Sequence, residues 1–396
     1  MKQRGFSLLL AVALVAGETC AQKAAPNDPS ECPYCGGDPK LLAAAGLVSH
    51  GGFEFARTDT AGADALLPNL VVLWIESKHF EVGFALGPHK VTQKEKNKIR
   101  EELSRLQRAL PAVNPRDKIL DPWLRAHLYA QRFEDTYSGF LDVMQVTEEL
   151  FPDGTKLWMP GTPYWGEGPY LGQRGKYEVL VVPSASNQVS FMRDQFGLSI
   201  KHTQKWNVVD RDSLLFVANL TEDGIRGDDA LHNHLVFNTI HNLVDGFLHY
   251  SYDTPLYLKE GLAHWFERRI TPEYNTFSFS EGGIADKINK ADWDTEVKKM
   301  IQRQEAPRLA ELITLDGFGE FEGRHHLACW SLTAFFLERY PAEYAQLNTK
   351  LHGRKDASGL PDGSNLRDAH RDLLRQIFGK SYAEIDAEWS EWALQR

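Results

Sequence analysis

The chain has 396 residues, of which 42% are hydrophobic, 11% aromatic and 25% charged, the composition of a folded globular protein. This excludes collagen-like, low-complexity and mainly disordered chains. Lys and Arg number 44 against 54 Asp and Glu, for a net charge of −10. Nucleic acid is therefore not expected as a partner, because phosphate binding requires clustered cations. Beyond residue 20 there is no apolar run of the roughly 18 residues that a membrane span needs, so we expect no transmembrane segment in the mature chain.

The first 21 residues have the layout of a secretory signal peptide. A short basic segment, 1–4, precedes an apolar run at 5–17 that is too short to cross a bilayer. Small residues at 19–21 then precede Gln22, and we predict cleavage after Ala21, with cleavage after Gly17 as the alternative. The mature protein is therefore expected to be secreted or periplasmic. An uncleaved membrane anchor is the alternative interpretation of the same segment.

Cleavage at this point leaves Cys32, Cys35 and Cys329 in the mature chain. Cys32-Pro-Tyr-Cys35 is half of a zinc-ribbon pattern, but no second cysteine pair completes four ligands. In an oxidising compartment we predict a local disulfide between Cys32 and Cys35, with a redox-active pair as the alternative. Cys329 lies in an apolar stretch and is predicted to be a buried thiol. His50 lies in a predicted loop and has no partner in the sequence.

The hydrophobic pattern predicts strands early in the chain and helices later. Short apolar or alternating runs predict strands at 70–76, 79–86, 177–183 and 213–219. Helical spacing appears at 92–110, 123–144 and 187–196, and the pattern is mostly helical from 229 onward. The predicted class is α+β, an N-terminal mixed sheet with helices followed by a mainly helical region. The predicted divisions are a signal peptide (1–21), a Cys-containing tail or linker (22–60), an N-terminal α+β subdomain (61–228) and a helical subdomain (229–396).

The predicted helix at 231–250 carries a polar stripe on an otherwise apolar surface. At about 100° per residue, five side chains fall within a stripe roughly 80° wide. These are His234, Asn238, His241, Asp245 and His249. A helix that is apolar around most of its circumference is expected to be buried, so the stripe must either be hydrogen-bonded or line a cleft.

The next predicted helix, within 255–269, places Glu260 and His264 one turn apart on the same face. Two helices joined by a short loop pack antiparallel, and Glu260 and His264 could then face His241 and Asp245. Histidine nitrogens and carboxylate oxygens are donors that suit zinc. The sequence therefore predicts a metal site of His241, Asp245 and Glu260, with His264 and His249 as additional candidate ligands.

This segment resembles that of the gluzincin metallopeptidases, specifically the secreted peptidase MA-like group. Residues 255–267, PLYLKEGLAHWFE, are similar to the family's second motif, P-x-W-L-x-E-G-L-A-x-Y. The resemblance implies a zincin-like helical region and makes Glu260 the third zinc ligand. Residues 326–340 and 378–389 are similar to the family's later helices, and 79–82 to an early strand. At low detail the resemblance covers about residues 70–396.

The first family motif, HExxH, is replaced here by His241-Asn-Leu-Val-Asp245. The resemblance makes His241 the first ligand. It puts Asn242 at the position of the general-base Glu and Asp245 at that of the second His. An amide cannot take a proton from zinc-bound water, and loss of a general base costs about 10²–10⁴-fold in rate.

Two functions are compatible with this pattern. The favoured one is a secreted pseudo-metallopeptidase, a binding or scaffold module whose partner is a peptide or protein in the cleft. The alternative is an active zinc-dependent hydrolase with an altered His/Asp/Glu site, in which Glu267 or Asp253 would act as base. At most one of His325 and His326 could reach the cleft, and a polar helix start is the favoured interpretation of that pair.

Overall fold

The computed structural model describes residues 27–151, 175–208, 211, 213–222, 225, 227–247, 254–277, 292–351 and 365–396. Within these ranges the chain forms one six-stranded mixed sheet, two small two-stranded sheets and thirteen α-helices. The predicted α+β class is confirmed. The predicted signal peptide, 1–21, lies outside the described residues. None of the described helices is long and apolar enough to cross a membrane.

The strands are β1 (Leu47–Ser49), β2 (Glu54–Phe55), β3 (Thr58–Asp59), β4 (Leu73–Ser77), β5 (Phe80–Phe84), β6 (His89–Lys90), β7 (Ile119–Leu120), β8 (Tyr177–Val182), β9 (Gln204–Val208) and β10 (Ser213–Asn219). The main sheet has the strand order β1-β4-β5-β8-β10-β9. Its central strands β5, β8 and β10 are parallel, with Val82 opposite Val179 and Val217 opposite Leu180. The outer pairs β1–β4, β4–β5 and β9–β10 are antiparallel.

Helices cover both faces of this sheet, which is why its central strands read as continuous apolar runs. Side chains alternate along each strand: Val179 and Val181 of β8 join the larger core, whereas Leu180 and Val182 join the smaller one. The helices are α1 (Pro39–Ala44), α2 (Thr60–Leu66), α3 (Lys96–Gln107), α4 (Pro122–Met144), α5 (Ala185–Phe196), α6 (Asp228–Phe247), α7 (Leu256–Ile270), α8 (Trp293–Gln302), α9 (Leu309–Leu312), α10 (Gly323–Arg339), α11 (Pro341–Lys350), α12 (Leu366–Phe378) and α13 (Tyr382–Gln395).

A buried ion pair fixes the start of α6 against α4. Arg132 Nη1 lies 2.7 Å from Asp228 Oδ2, and the Tyr129 hydroxyl donates a hydrogen bond of 2.8 Å to Asp228 Oδ1. Arg132 also pairs with Glu102 at 2.7 Å. Both members of the Arg132–Asp228 pair are almost completely buried. Because α6 carries part of the candidate site, this pair sets the position of that helix relative to the sheet.

The elements depart from the predicted pattern in two places. The edge strand β9 was not predicted, because its side chains are mostly half-buried and do not alternate clearly. Residues 27–60, predicted to belong to a tail or linker, include α1, three strands and part of α2. Cys32 and Cys35 in this segment are buried in the larger hydrophobic core.

Candidate metal centre

Three helices bring a cluster of buried histidines around one carboxylate. Glu260 and His264 come from α7, His241 from α6 and His326 from α10, and all four side chains have zero solvent exposure. Glu260 Oε2 lies 3.6 Å from His264 Nε2 and 3.5 Å from His326 Nδ1, and these two nitrogens are 2.9 Å apart. His241 Nε2 lies 3.0 Å from the other oxygen, Glu260 Oε1. The sequence predicted the closeness of His241, Glu260 and His264.

The Glu260 carboxylate lies between the three histidines of this cluster. Each of its oxygens faces histidine nitrogens: Oε1 that of His241, and Oε2 those of His264 and His326. A fully buried carboxylate is costly unless hydrogen bonds or a cation balance its charge. In a tetrahedral zinc site, nitrogen and oxygen ligands about 2.0–2.2 Å from the metal lie roughly 3.4 Å apart. The two contacts of Glu260 Oε2, at 3.5 and 3.6 Å, are close to that separation, whereas the nitrogens of His264 and His326 are 2.9 Å apart and would have to move apart to share a metal ion.

The far side of His264 is held by a second carboxylate. His264 Nδ1 lies 2.6 Å from Glu267 Oε1, and the Thr276 backbone N–H donates to both Glu267 oxygens, at 3.2 and 3.0 Å. Burial raises the pKa of Glu267 well above its usual range, and the hydrogen bonds from Thr276 oppose that shift. A carboxylate on the outer nitrogen is the arrangement that orients a metal-binding histidine. Here it turns His264 Nε2 towards Glu260.

His241 has a different environment. Its Nδ1 lies 3.3 Å from the Lys205 ammonium nitrogen, a group that can only donate. Nδ1 is therefore the accepting nitrogen, and the ring proton of the neutral form is on Nε2, facing Glu260 Oε1. Burial, with a contribution from Lys205, lowers the pKa of His241 to about 4. His241 thus contacts Glu260 through Nε2 and Lys205 through Nδ1.

A glycine allows α7 to approach α10 closely enough to assemble the cluster. A Cβ atom on Gly261 would overlap the Thr333 hydroxyl and lie 2.5 Å from the backbone oxygen of Cys329. A backbone oxygen in a helix cannot move aside as a flexible side chain can. Gly261 therefore sets the distance at which Glu260 and His264 meet His326.

We expect Gly261→Ala to lower the free energy of unfolding by about 1–3 kcal/mol or more, because the added methyl group must push α7 away from α10. Chemical denaturation measures the loss. Gly87→Ala is the matched control, since no heavy atom lies within 4 Å of a Cβ at Gly87. Equal stability of the two variants would contradict the role of close packing at Gly261.

The structure does not bring Asp245 into the cluster. Its carboxylate is ion-paired with Lys259 and is partly exposed. The Asn242 side chain is buried, and within the described residues neither of its polar atoms has a hydrogen-bond partner. His249 and Asp253 lie outside the described residues.

His326 is a ligand candidate whose place in the sequence, beside His325, favours another explanation, a polar helix start. The adjacent histidines take separate roles, as their different helical faces require. His325 Nδ1 accepts the backbone N–H of Glu322 at 2.9 Å and so caps the start of α10. His326 points to Glu260 instead. A polar helix start was therefore the correct account of only one member of the pair.

The predicted disulfide is absent, because Cys32 and Cys35 are both free, buried thiols. Each sulfur faces a histidine. Cys32 Sγ lies 3.2 Å from His127 Nε2, and Cys35 Sγ lies 3.7 Å from His50 Nε2. Cys329 is a buried thiol, as predicted.

Comparison of the sequence with protein-family models and with curated proteins finds no match to either. The resemblance to peptidase MA-like gluzincins therefore rests on the motifs of this chain alone.

Proposed function

We propose that the protein is a zinc-binding, gluzincin-like protein without peptidase activity, in which Glu260, His264 and His326 hold the metal. The observation that carries this proposal is the Glu260 carboxylate, which is fully buried and has one oxygen facing two histidine nitrogens at 3.5 and 3.6 Å. Two imidazoles and one carboxylate suit zinc better than magnesium or calcium, which prefer oxygen ligands.

The absence of peptidase activity follows from the groups that would have to move a proton. Asn242 occupies the position of the general base in the gluzincins that this chain resembles, and an amide does not titrate. Glu267, a candidate base in the sequence, contacts His264 Nδ1 and accepts a hydrogen bond from the Thr276 backbone N–H. It acts as an orienting group and is not free to serve water bound at the metal.

Full burial of the cluster favours a scaffold role for the metal. One ion ligated by α7 and α10 would join two helices that meet at Gly261, and His241 would add a contact from α6 through Glu260. Export by the predicted signal peptide would place this protein outside the cytoplasm. A peptide or protein partner remains a prediction of the sequence.

One observation favours the alternative, an active zinc-dependent hydrolase. Catalytic zinc sites keep three protein ligands and leave a fourth position for water, and His2Glu is one such set. Glu260, His264 and His326 provide these ligands. The cluster would then need a base other than Asn242.

A cleavage assay distinguishes the two functions. Zinc-loaded wild-type protein is incubated with a mixed peptide library and casein, beside Glu260→Gln protein purified identically. We expect equal background cleavage from both, because the wild type has no positioned base. Zinc-dependent cleavage by the wild type that Glu260→Gln abolishes would contradict the proposal and support the hydrolase.

A further inference from the structure

A second cluster of donor atoms lies far along the chain from the Glu260 centre. Cys32 and Cys35 come from the segment before α1, His50 follows β1, and His127 belongs to α4. All four side chains are buried, with exposed fractions of 2%, 3%, 9% and 1% respectively. The ligand atoms of Cys32, Cys35 and His127 all lie within 4.8 Å of one another, and His50 is outside this mutual set but approaches it through Cys35, at 3.7 Å.

We propose that Cys32, Cys35, His50 and His127 form a structural zinc site. Two thiolates and two imidazoles are a standard donor set for zinc, and four protein ligands close the coordination sphere. With Zn–S of about 2.3 Å and Zn–N of about 2.0–2.1 Å, the sulfur–nitrogen edge of a tetrahedral site is about 3.5 Å. The contacts of 3.2 Å (Cys32–His127) and 3.7 Å (Cys35–His50) lie on either side of that value.

The local backbone supports ligation by both cysteines. Gly36 and Gly37, which follow Cys35, have φ of 54° and 70°, a region that glycine adopts without strain. The Gly36 N–H donates a hydrogen bond of 2.9 Å to the Cys32 carbonyl and closes the turn. The two sulfurs are thereby held on one tight loop, each directed at a different histidine.

An aromatic ring packs against each of the two histidines. The His50 ring stacks on Trp123 with centroids 5.2 Å apart, and the His127 ring meets Tyr34 edge-on at 6.3 Å. The two imidazole centroids are themselves 5.2 Å apart. A metal at this point would tie the N-terminal segment to α4 and so to the core.

Cobalt substitution tests the site in the full mature chain. Co²⁺ bound by thiolates gives a sulfur-to-metal charge-transfer absorption in the near ultraviolet. Ligands of the Glu260 centre contain no sulfur and cannot give it. We expect this band in the wild type, in Glu260→Gln and in Cys329→Ser. We expect its loss, with loss of about one metal equivalent, in Cys32→Ser/Cys35→Ser.

The wild-type spectrum decides the question even if the double variant fails to fold. Absence of the charge-transfer band from cobalt-loaded wild-type protein would overturn the proposal. So would alkylation and mass analysis showing Cys32 and Cys35 joined in a disulfide in protein purified without oxidant. The Glu260 centre contributes no sulfur. A missing charge-transfer band would therefore not bear on the proposed function, and a failure of zinc binding at Glu260 would not bear on the cysteine site.

Discussion

Glu260→Gln should weaken zinc binding at the Glu260 centre by more than about 100-fold. Removing a partner that only orients a ligand costs about 10–100-fold in metal affinity, and removing a charged ligand should cost more. The amide keeps the shape of the side chain but loses the charge that balances the cation. His326→Ala should have a comparable effect, since it removes a second ligand. Competition with a chromophoric chelator measures the affinity.

Asp245→Asn is the matched control for this substitution. The sequence predicts Asp245 as a ligand, whereas the structure pairs its carboxylate with Lys259. We therefore expect Asp245→Asn to retain zinc with nearly wild-type affinity. Loss of zinc from Asp245→Asn with retention in His326→Ala would reverse the assignment and restore the ligand set predicted from the sequence.

Asp228→Ala should destabilise the fold by about 3 kcal/mol, because it leaves the Arg132 guanidinium buried with one carboxylate fewer. Breaking a buried pair by removing one partner costs about 3–5 kcal/mol. The remaining contact with Glu102, at 2.7 Å, places the expected loss near the lower limit. Urea denaturation of zinc-loaded protein measures it.

The neighbouring Asp229→Ala is the control for this second substitution. Asp229 pairs with Lys98 at 2.8 Å, but both side chains are partly exposed, so the expected loss is below about 1 kcal/mol. Both aspartates lie in the first turn of α6, so the helix dipole contributes similarly to each variant. Equal losses in the two variants would show that the buried pair with Arg132 contributes nothing beyond the dipole.

The central strands were predictable from the sequence because burial on both faces makes them continuous apolar runs. β8 and β10 lie within one residue of their predicted ranges. β9 was not predictable in this way, since an edge strand with half-buried side chains has neither an apolar run nor clear alternation. Strands are identified in a sequence from the pattern that burial produces, and few side chains of β9 are buried.

The candidate site was predictable where its residues are close in sequence. Glu260 and His264 are one helical turn apart, and His241 lies on the preceding helix. His326 lies on α10 and joins them because α7 and α10 approach closely at Gly261. The spacing of residues in the sequence does not predict this tertiary contact. Asp245 lies on the same polar stripe as His241, but its carboxylate pairs with Lys259 and not with the cluster. The direction of a half-buried carboxylate depends on such neighbours.

The Cys32 and Cys35 cluster shows the same limit at longer range. His50 is 15 residues from Cys35, and His127 is 95 residues from Cys32. A zinc ribbon is recognised by two closely spaced pairs, and here only one pair is local. The remaining two donors come from separate elements, so only the folded structure brings them together.

Glu260, His264 and His326 are proposed to bind zinc, and anomalous diffraction at the zinc absorption edge from crystals of zinc-loaded protein would locate the ion. We expect a peak about 2.0–2.2 Å from Glu260 Oε2, His264 Nε2 and His326 Nδ1. Crystals that contain zinc elsewhere but show no anomalous peak between these three side chains would contradict this proposal.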